Sequence, residues 1–190
     1  MPTAFTPHNT NPLSRYPQAW ERAATVKLLV LDVDGVLTNG QVFIGTDGKE
    51  ATKAFDIQDG FGIKLLEQIG IPTAIITGRN SKMVLARADE LGIRHVHMGV
   101  ANKAIALEET LKVLGFQAND CAVMGDDWPD LKMMQFAGLK ICPAQGHEAV
   151  KEIAHFVTER AGGAGAVREV CDLILKAQNR YVELLAKAYV

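Results

Sequence analysis

Four short stretches of this 190-residue chain carry side chains able to do chemistry together. The first is Asp32-Val33-Asp34-Gly35-Val36-Leu37-Thr38, at the end of the apolar run Val26–Val33. Residues i and i+2 of a strand point to the same side, so Asp32 and Asp34 share a crevice if the strand geometry continues through them. Two carboxylates that close repel unless a proton or a cation separates them. Mg2+ suits the pair, because it takes oxygen ligands and few protein groups. A turn-forming or capping role is the other reading, and Gly35 supports a turn. The second stretch, Gly125-Asp126-Asp127-Trp128-Pro129-Asp130, again places acids after an apolar run, Cys121–Met124. These acids can hold the same cation, or Asp127 can cap the helix that Pro129 enters, or both. The third, Ile76-Thr77-Gly78-Arg79-Asn80, sets a hydroxyl and a loosened backbone at a helix start, which is an anion cradle. Arg79 adds a planar fork for phosphate or carboxylate. The fourth is Lys103, which opens a helical stretch against the helix dipole. That position favours a place beside carboxylates and an anion; an exposed loop lysine is the alternative.

Together these side chains can hold a metal and a phosphoryl group. A carboxylate attacks phosphorus to give an aspartyl-phosphate. The metal and a lysine neutralise the equatorial oxygens as charge develops. A second carboxylate protonates the leaving alkoxide and later activates water. The chain has neither a G-x-x-x-x-G-K-[ST] loop nor a G-x-G-x-x-G turn, so the usual nucleotide cradles are missing.

The elements that must position these groups follow from the apolar patterning. Val26–Val33 reads as a strand buried on both faces, as in a parallel sheet. Gln41–Ile44 and Glu50–Phe55 flank Gly45-Thr46-Asp47-Gly48, a hairpin signal. Asp59-Gly60 opens a helical pattern that ends near Gly70, with Asp59 as the expected N-cap. Strands are then expected at Ile71–Ile76, His95–Met98, Cys121–Met124, Leu139–Cys142 and Phe156-Val157. Helices are expected at Ser81–Leu91, Lys103–Leu114, Pro129–Phe136 and His147–Ala154, with one long helix from Ala166 to the end. Such alternation implies βαβ units around a parallel sheet, with ligands at the carboxyl ends of the strands. Gln18–Ala24 reads as a short helix behind a loose tail, Met1–Pro17.

Twenty basic and 22 acidic residues leave a net charge of −2, which gives no global attraction to nucleic acid or acidic lipid. No apolar run approaches the roughly 18 residues of a membrane span. Cys121, Cys142 and Cys171 are an odd, scattered set, read as buried free thiols. Met1–Pro17 lacks a signal-peptide pattern, so the cytoplasm is the expected location. His95 and His97 alternate on a short strand and read as core or edge histidines, since no third metal ligand lies near them. Trp128 either walls the pocket or covers the helix start.

The four stretches, in this order, resemble the motifs of the haloacid dehalogenase-like phosphatase superfamily. DVDGVLTNG, KAFDIQDGFGIKLL, AIITGRNS, NKAIALEETL, VMGDDWPDL and AGGAGAVREVCDLIL together resemble, within it, the family of 3-deoxy-D-manno-octulosonate 8-phosphate phosphatases, over about residues 28–178. The resemblance implies an α/β three-layer sandwich with a central parallel sheet, a β-hairpin insertion after the first strand (about residues 41–55) and no large cap domain. Residues 25–190 would form the phosphatase domain and 1–24 the tail and short helix. Asp32 would be the nucleophile and a Mg2+ ligand. Asp34 would be the general acid/base and give the metal its backbone carbonyl. Thr77, Gly78 and Lys103 would hold the phosphoryl group. Asp126 would be the third metal contact, supported by Asp127. Arg79, with Arg168 beside the cluster Gly162-Gly163-Ala164-Gly165, would bind the sugar acid; an ion pair of Arg168 with Glu169 or Glu148 is the alternative. Ala164 departs from the longer polar or basic residue frequent there in the family. Members are homotetramers, so Val42, Ile44 and Phe55 would form a hairpin contact between subunits; packing of the hairpin on its own domain is the alternative. The implied substrate is an eight-carbon sugar-acid 8-phosphate of lipopolysaccharide biosynthesis. A sialic-type nine-carbon acid 9-phosphate is the nearest other substrate. A phospho-accepting signalling module and an inactive assembly subunit are readings of other classes.

Overall fold

The computed structural model describes residues 16–189. The expected loose tail, Met1–Pro17, falls mainly outside them. In chain order the elements are α1 (Pro17–Ala23), β1 (Leu28–Leu31), β2 (Phe43–Ile44), β3 (Glu50–Thr52), α2 (Ile57–Gln68), β4 (Thr73–Ile76), α3 (Lys82–Leu91), β5 (His95–His97), α4 (Lys103–Leu114), β6 (Cys121–Met124), α5 (Trp128–Gln135), β7 (Leu139–Cys142), α6 (Glu148–Ile153), β8 (Phe156–Val157), α7 (Ala166–Ala177) and α8 (Tyr181–Lys187).

All four residues of β1 are buried. Successive strand side chains go to opposite faces. Leu29 and Leu31 accordingly enter one core, while Leu28 and Val30 enter the other. A strand buried on both faces has to lie inside a covered sheet. The sheet is six-stranded and parallel, in the order β5-β4-β1-β6-β7-β8. One core takes Ala19 of α1, Ile63 of α2, Val84 of α3 and Val170 of α7. The other takes Leu107 of α4, Met133 of α5 and Val150 of α6. Helices therefore cover both faces, and the expected three-layer sandwich is present. The chain winds outward from β1 to β4 and β5, then returns past β1 to β6, β7 and β8. This reversal places the crevice between the carboxyl ends of β1 and β6. The register Leu31↔Met124 sets Asp32 beside Gly125, one residue before Asp126.

β2 and β3 form a separate two-stranded antiparallel hairpin. Its turn, Gly45–Gly48, has Gly48 at φ 76°, the left-handed conformation that an Asp-Gly turn requires. Val42, Phe43 and Ile44 are exposed. Phe55, expected to join them, packs on the core instead, with the Arg87 guanidinium 5.9 Å from its ring centre. It lies past the end of β3, where the chain has already turned toward α2.

Two further expectations are corrected. The long C-terminal helix is two helices, broken at Asn179, whose φ is 58°. Asn tolerates this left-handed conformation, and no Gly or Pro marks the break. The N-cap of α2 is Asp56, whose carboxylate accepts the N–H groups of Gln58 and Asp59. Asp59 itself is buried and accepts the Arg168 N–H at 2.7 Å. It thereby serves the first turn of α7, whose own N-cap, Gly165, has no side chain to do so. The carboxyl of Asp59 thus ties α2 to α7.

Burial pushes the Asp59 carboxyl up to about 6 from 3.8, against the lowering by the α7 backbone N–H groups. The fold holds this proton more tightly than the unfolded chain, so stability falls as pH rises from about 4 to about 6 and stays lower above that. Asp59→Asn carries no such proton. The stability difference between wild type and variant should therefore move by about 2–3 kcal/mol against wild type between about pH 4 and pH 7. Urea midpoints at several pH values measure it, and a flat difference would reject the buried acid.

Candidate active site

β1 ends at Leu31 and delivers Asp32 to the crevice, its N–H donating to the Met124 carbonyl at 3.1 Å. The chain then folds over itself, with the N–H groups of Leu37 and Thr38 both donating to the Val33 carbonyl. Gly35 sits at φ 88°, and a side chain there would collide with the Asp126 carboxylate. Behind this loop, the Gln145 amide donates to the Gly35 carbonyl at 2.6 Å and accepts the Gly162 N–H at 2.8 Å. The Gly163 N–H donates to the Val36 carbonyl at 3.0 Å. Any side chain at Gly162 or Gly163 would strike the backbone of residues 35–39. The glycine cluster thus lies against the Asp32–Asp34 loop.

Asp126 and Asp127 follow β6. Asp127 caps α5, accepting the Trp128 N–H at 2.8 Å, so the capping reading of this residue holds. Asp130, in the first turn of α5, reaches back to accept the N–H groups of Asp126 at 3.0 Å and Asp127 at 3.3 Å. Lys103 opens α4, as expected, but is buried, with its Nζ 2.8 Å from Asp32 Oδ1 and 2.7 Å from Asp130 Oδ1. Burial would push this ammonium down, yet Asp32 and Asp130 outweigh it and hold the group above its ordinary value. Thr77 is buried at the end of β4, its N–H donating to the His97 carbonyl at 2.9 Å.

One cavity of about 310 Å³ is lined by Asp32, Asp34, Gly40, Thr77, Gly78, Arg79, Lys103, Asp126, Asp127, Pro129 and Asp130. Eight of the site residues expected from sequence meet there: Asp32, Asp34, Thr77, Gly78, Arg79, Lys103, Asp126 and Asp127. Arg168 does not line it. Its Nε donates to Asp172 at 2.8 Å and its guanidinium lies 5.4 Å from the Phe61 ring centre. The partner is one helical turn away on the same helix, in place of the Glu169 or Glu148 considered from sequence. Trp128 does not line it either, but donates from its indole N–H to His147 at 3.1 Å. His97 bonds Thr110 at 2.9 Å.

Two contributors went unassigned from sequence. Asp130 stands in the quoted motif, and its spacing after Asp127 is that of a capping box. Lys53 opens the quoted stretch KAFDIQDGFGIKLL, but its type and place gave no sign of its partner, because a lysine in a hairpin strand ordinarily faces water. Here its side chain is buried and its Nζ contacts Asp34 Oδ1 and, at 2.9 Å, Glu50 Oε1.

One oxygen from each of Asp32, Asp126 and Asp130 lies within 4.8 Å of the others. With Lys103 these groups carry a net −2 when ionised, which a divalent cation would cancel. Both oxygens of Asp130 are committed, one to Lys103 and one to backbone N–H groups. Asp32 Oδ1 is buried without a well-directed hydrogen bond, its contact with Lys103 being an ion pair. Asp32 and Asp126 are therefore the carboxylates left to face a cation. Burial, then the neighbouring Asp130, pushes Asp32 up to about 6 and Asp126 up to about 7. An all-oxygen, over-acidic, part-buried donor set of this kind fits Mg2+.

Thr77 and Gly78 lie ahead of α3, whose N-cap is Ser81, so they line the cavity from a loop and not from a helix start. Acids, a buried hydroxyl and a buried lysine at the switch point of a doubly wound sheet define a phosphoryl-transfer enzyme. Residues 95–170 match the family described as haloacid dehalogenase-like hydrolase. The 3-deoxy-D-manno-octulosonate 8-phosphate phosphatase of Yersinia pestis is 45% identical over 160 residues, 84% of this chain and 85% of that protein. The Moraxella catarrhalis enzyme of that name, crystallised with magnesium ion, phosphate ion and a KDO molecule, is 46% identical, with a TM-score of 0.87 over 90% of this chain and 97% of that chain. A cobalt-bound form of the Haemophilus influenzae deoxy-D-mannose-octulosonate 8-phosphate phosphatase is 36% identical, with a TM-score of 0.82 over 84% of this chain and 93% of that chain. This chain belongs to the 3-deoxy-D-manno-octulosonate 8-phosphate phosphatase family of haloacid dehalogenase-like hydrolases.

Because the Asp32 and Asp126 carboxyls are raised to about 6 and about 7, a cation binding below neutrality has to displace protons from them. Mg2+ affinity, measured by calorimetry, should rise about tenfold or more from about pH 6 to pH 8, with protons released on binding. Saturating Mg2+ should also raise the thermal midpoint. Affinity independent of pH would overturn the raised carboxyls.

Proposed function

We propose that this protein is a Mg2+-dependent phosphomonoesterase that hydrolyses 3-deoxy-D-manno-octulosonate 8-phosphate to the free sugar acid and phosphate. The observation that supports the chemistry is the meeting of Asp32, Asp126 and Lys103 beside Thr77 in one cavity. The substrate rests on the 46% identity to the Moraxella protein described with magnesium, phosphate and KDO.

Asp32, with the Asp34 carbonyl and Asp126, would hold Mg2+, which when bound cancels the carboxylate charge and draws electron density from the phosphoryl oxygens. Asp127 would support Asp126 from behind. One oxygen of Asp32 attacks phosphorus while the bond to the sugar oxygen breaks, giving an aspartyl-phosphate. Asp34 gives the leaving alkoxide its proton. Lys103 and the Thr77 hydroxyl, with the Gly78 backbone, hold the phosphoryl oxygens as charge grows on them. Asp34, now ionised, then takes a proton from water as that water attacks the aspartyl-phosphate, and phosphate and Asp32 are released. Arg79, at the mouth and half exposed, is the cation available to the substrate carboxylate.

The unit that carries this activity is residues 25–190, and the assembly is a homotetramer joined through the hairpin. Exposed Val42, Phe43 and Ile44 support such a contact. No helix among the described residues is long and apolar enough to cross a membrane. The setting proposed is the cytoplasm and the pathway lipopolysaccharide biosynthesis.

Phosphate release from the octulosonate 8-phosphate, a sialic-type 9-phosphate and generic sugar phosphates tests the reading. Strong, Mg2+-dependent preference for the first is expected; equal slow release from all would remove the substrate assignment. Asp34→Asn should lower turnover by about 100-fold or more, with fold and Mg2+ binding kept. Unchanged turnover in that variant would sink the mechanism.

A further inference from the structure

Asp34, the proposed general acid/base, does not stand alone in the crevice. Its Oδ1 contacts the Nζ of Lys53, while its Oδ2 lies 3.7 Å from Arg79 Nε, beyond a hydrogen bond. Lys53 also pairs with Glu50 at 2.9 Å, and Glu50 lies 3.4 Å from the Arg79 guanidinium. Two acids and two bases thus alternate in a closed ring that joins the Asp32–Asp34 loop, the β4–α3 turn and the hairpin. The members are unequal. The Lys53 side chain is 1% exposed, that of Asp34 21% and that of Arg79 49%. A buried ammonium on a four-carbon stem is expensive to leave unpaired, so Lys53 has little freedom to release its two carboxylates. Arg79 has that freedom.

From this asymmetry we infer that Lys53 is a positioning residue for the reaction: it anchors Asp34 through Oδ1 and leaves Oδ2 as the oxygen that moves the proton. The inference rests on Asp34 being the general acid/base, as proposed above. A carboxylate pivoting freely about χ1 and χ2 spends much of its time pointing elsewhere, and proton transfer is sensitive to such misplacement. Fixing one oxygen removes that motion and keeps the other directed into the cavity. The ammonium is equally placed to stabilise the carboxylate that remains once the proton has gone to the alkoxide. Lys53 does not line the cavity that Asp32, Asp34, Thr77 and Lys103 share, so it acts through Asp34. It sits 19 residues after Asp34 in sequence, and only the hairpin's return brings it there.

The test uses leaving groups. An alkyl phosphate, here the octulosonate 8-phosphate, needs a proton for its alkoxide; p-nitrophenyl phosphate barely does. Lys53→Met, with Mg2+ saturating, should lower kcat on the alkyl phosphate about 100-fold while KM moves less than about threefold. With p-nitrophenyl phosphate the same variant should keep a stoichiometric burst of nitrophenolate at near the wild-type rate. Slow steady-state release should follow, since attack by water still needs Asp34. In an Asp34→Asn background, adding Lys53→Met should cost nothing further. Should Lys53→Met not fold, as its thermal midpoint would show, Glu50→Gln loosens the same lysine from the hairpin side. It should lower alkyl phosphate turnover about threefold to tenfold with the burst intact. Loss of the burst together with alkyl phosphate turnover, additive losses in the double variant, or unchanged kcat would each overturn the positioning role. Failure of the substrate assignment is separate: wild type would then ignore the octulosonate 8-phosphate, and a generic alkyl phosphate would serve in the same comparison.

Discussion

Like charge crowded into one crevice, with Asp32, Asp130 and Lys103 buried at its floor, is the constraint on which the rest of this molecule depends. Asp32, Asp126 and Asp130 bring carboxylate oxygens within 4.8 Å of one another. At that spacing two charges repel by about 3.5 kcal/mol even at an effective dielectric of 20. The buried ammonium of Lys103 answers part of this, bridging Asp32 and Asp130. Backbone N–H groups at the start of α5 answer another part through Asp130. The remainder shows as raised carboxyls on Asp32 and Asp126, which a divalent cation would relieve. The site is poised for a metal because the fold holds it in an electrostatically unfavourable state without one.

Holding that state demands a stiff frame. The floor is the sheet, whose register pins the ends of β1 and β6 side by side. The back of the acidic loop is clamped by segments from the far end of the chain, through Gln145, Gly162 and Gly163. Glycine is needed at Gly162 because backbone packs on backbone there, with no room for a methyl group. Asp59 fastens α2 to the first turn of α7, immediately after this glycine cluster. The cluster and its helix therefore serve the site from behind, and Arg168 is engaged with Asp172 and Phe61 on that outer layer.

The hairpin adds a second, looser tier. Its first strand and the residue before it expose Val42, Phe43 and Ile44, while its return carries Glu50 and Lys53 inward to Asp34 and Arg79. One short excursion thus presents apolar surface outward and charge inward.

The layered α/β fold was legible in the sequence because buried parallel strands are written as continuous apolar runs. Lys103–Leu114, Cys121–Met124, Leu139–Cys142 and Phe156–Val157 match the residues expected. Asp32, Asp34, Thr77, Arg79, Lys103, Asp126 and Asp127 were legible as candidates for the same reason: each follows a strand, and strand ends of one parallel sheet converge. What the sequence could not carry were relations between distant segments. The Lys53 contact depends on a hairpin folding back across the crevice, the Asp59 contact on the first turns of two packed helices coming together, and the break at Asn179 on a left-handed residue without a glycine to announce it. Local patterning determined the elements and the chemical types at their ends, since burial and backbone preference act over a few residues. Tertiary structure alone decided which charges share a partner, because Coulomb attraction and desolvation depend on distance in space and take no account of separation along the chain.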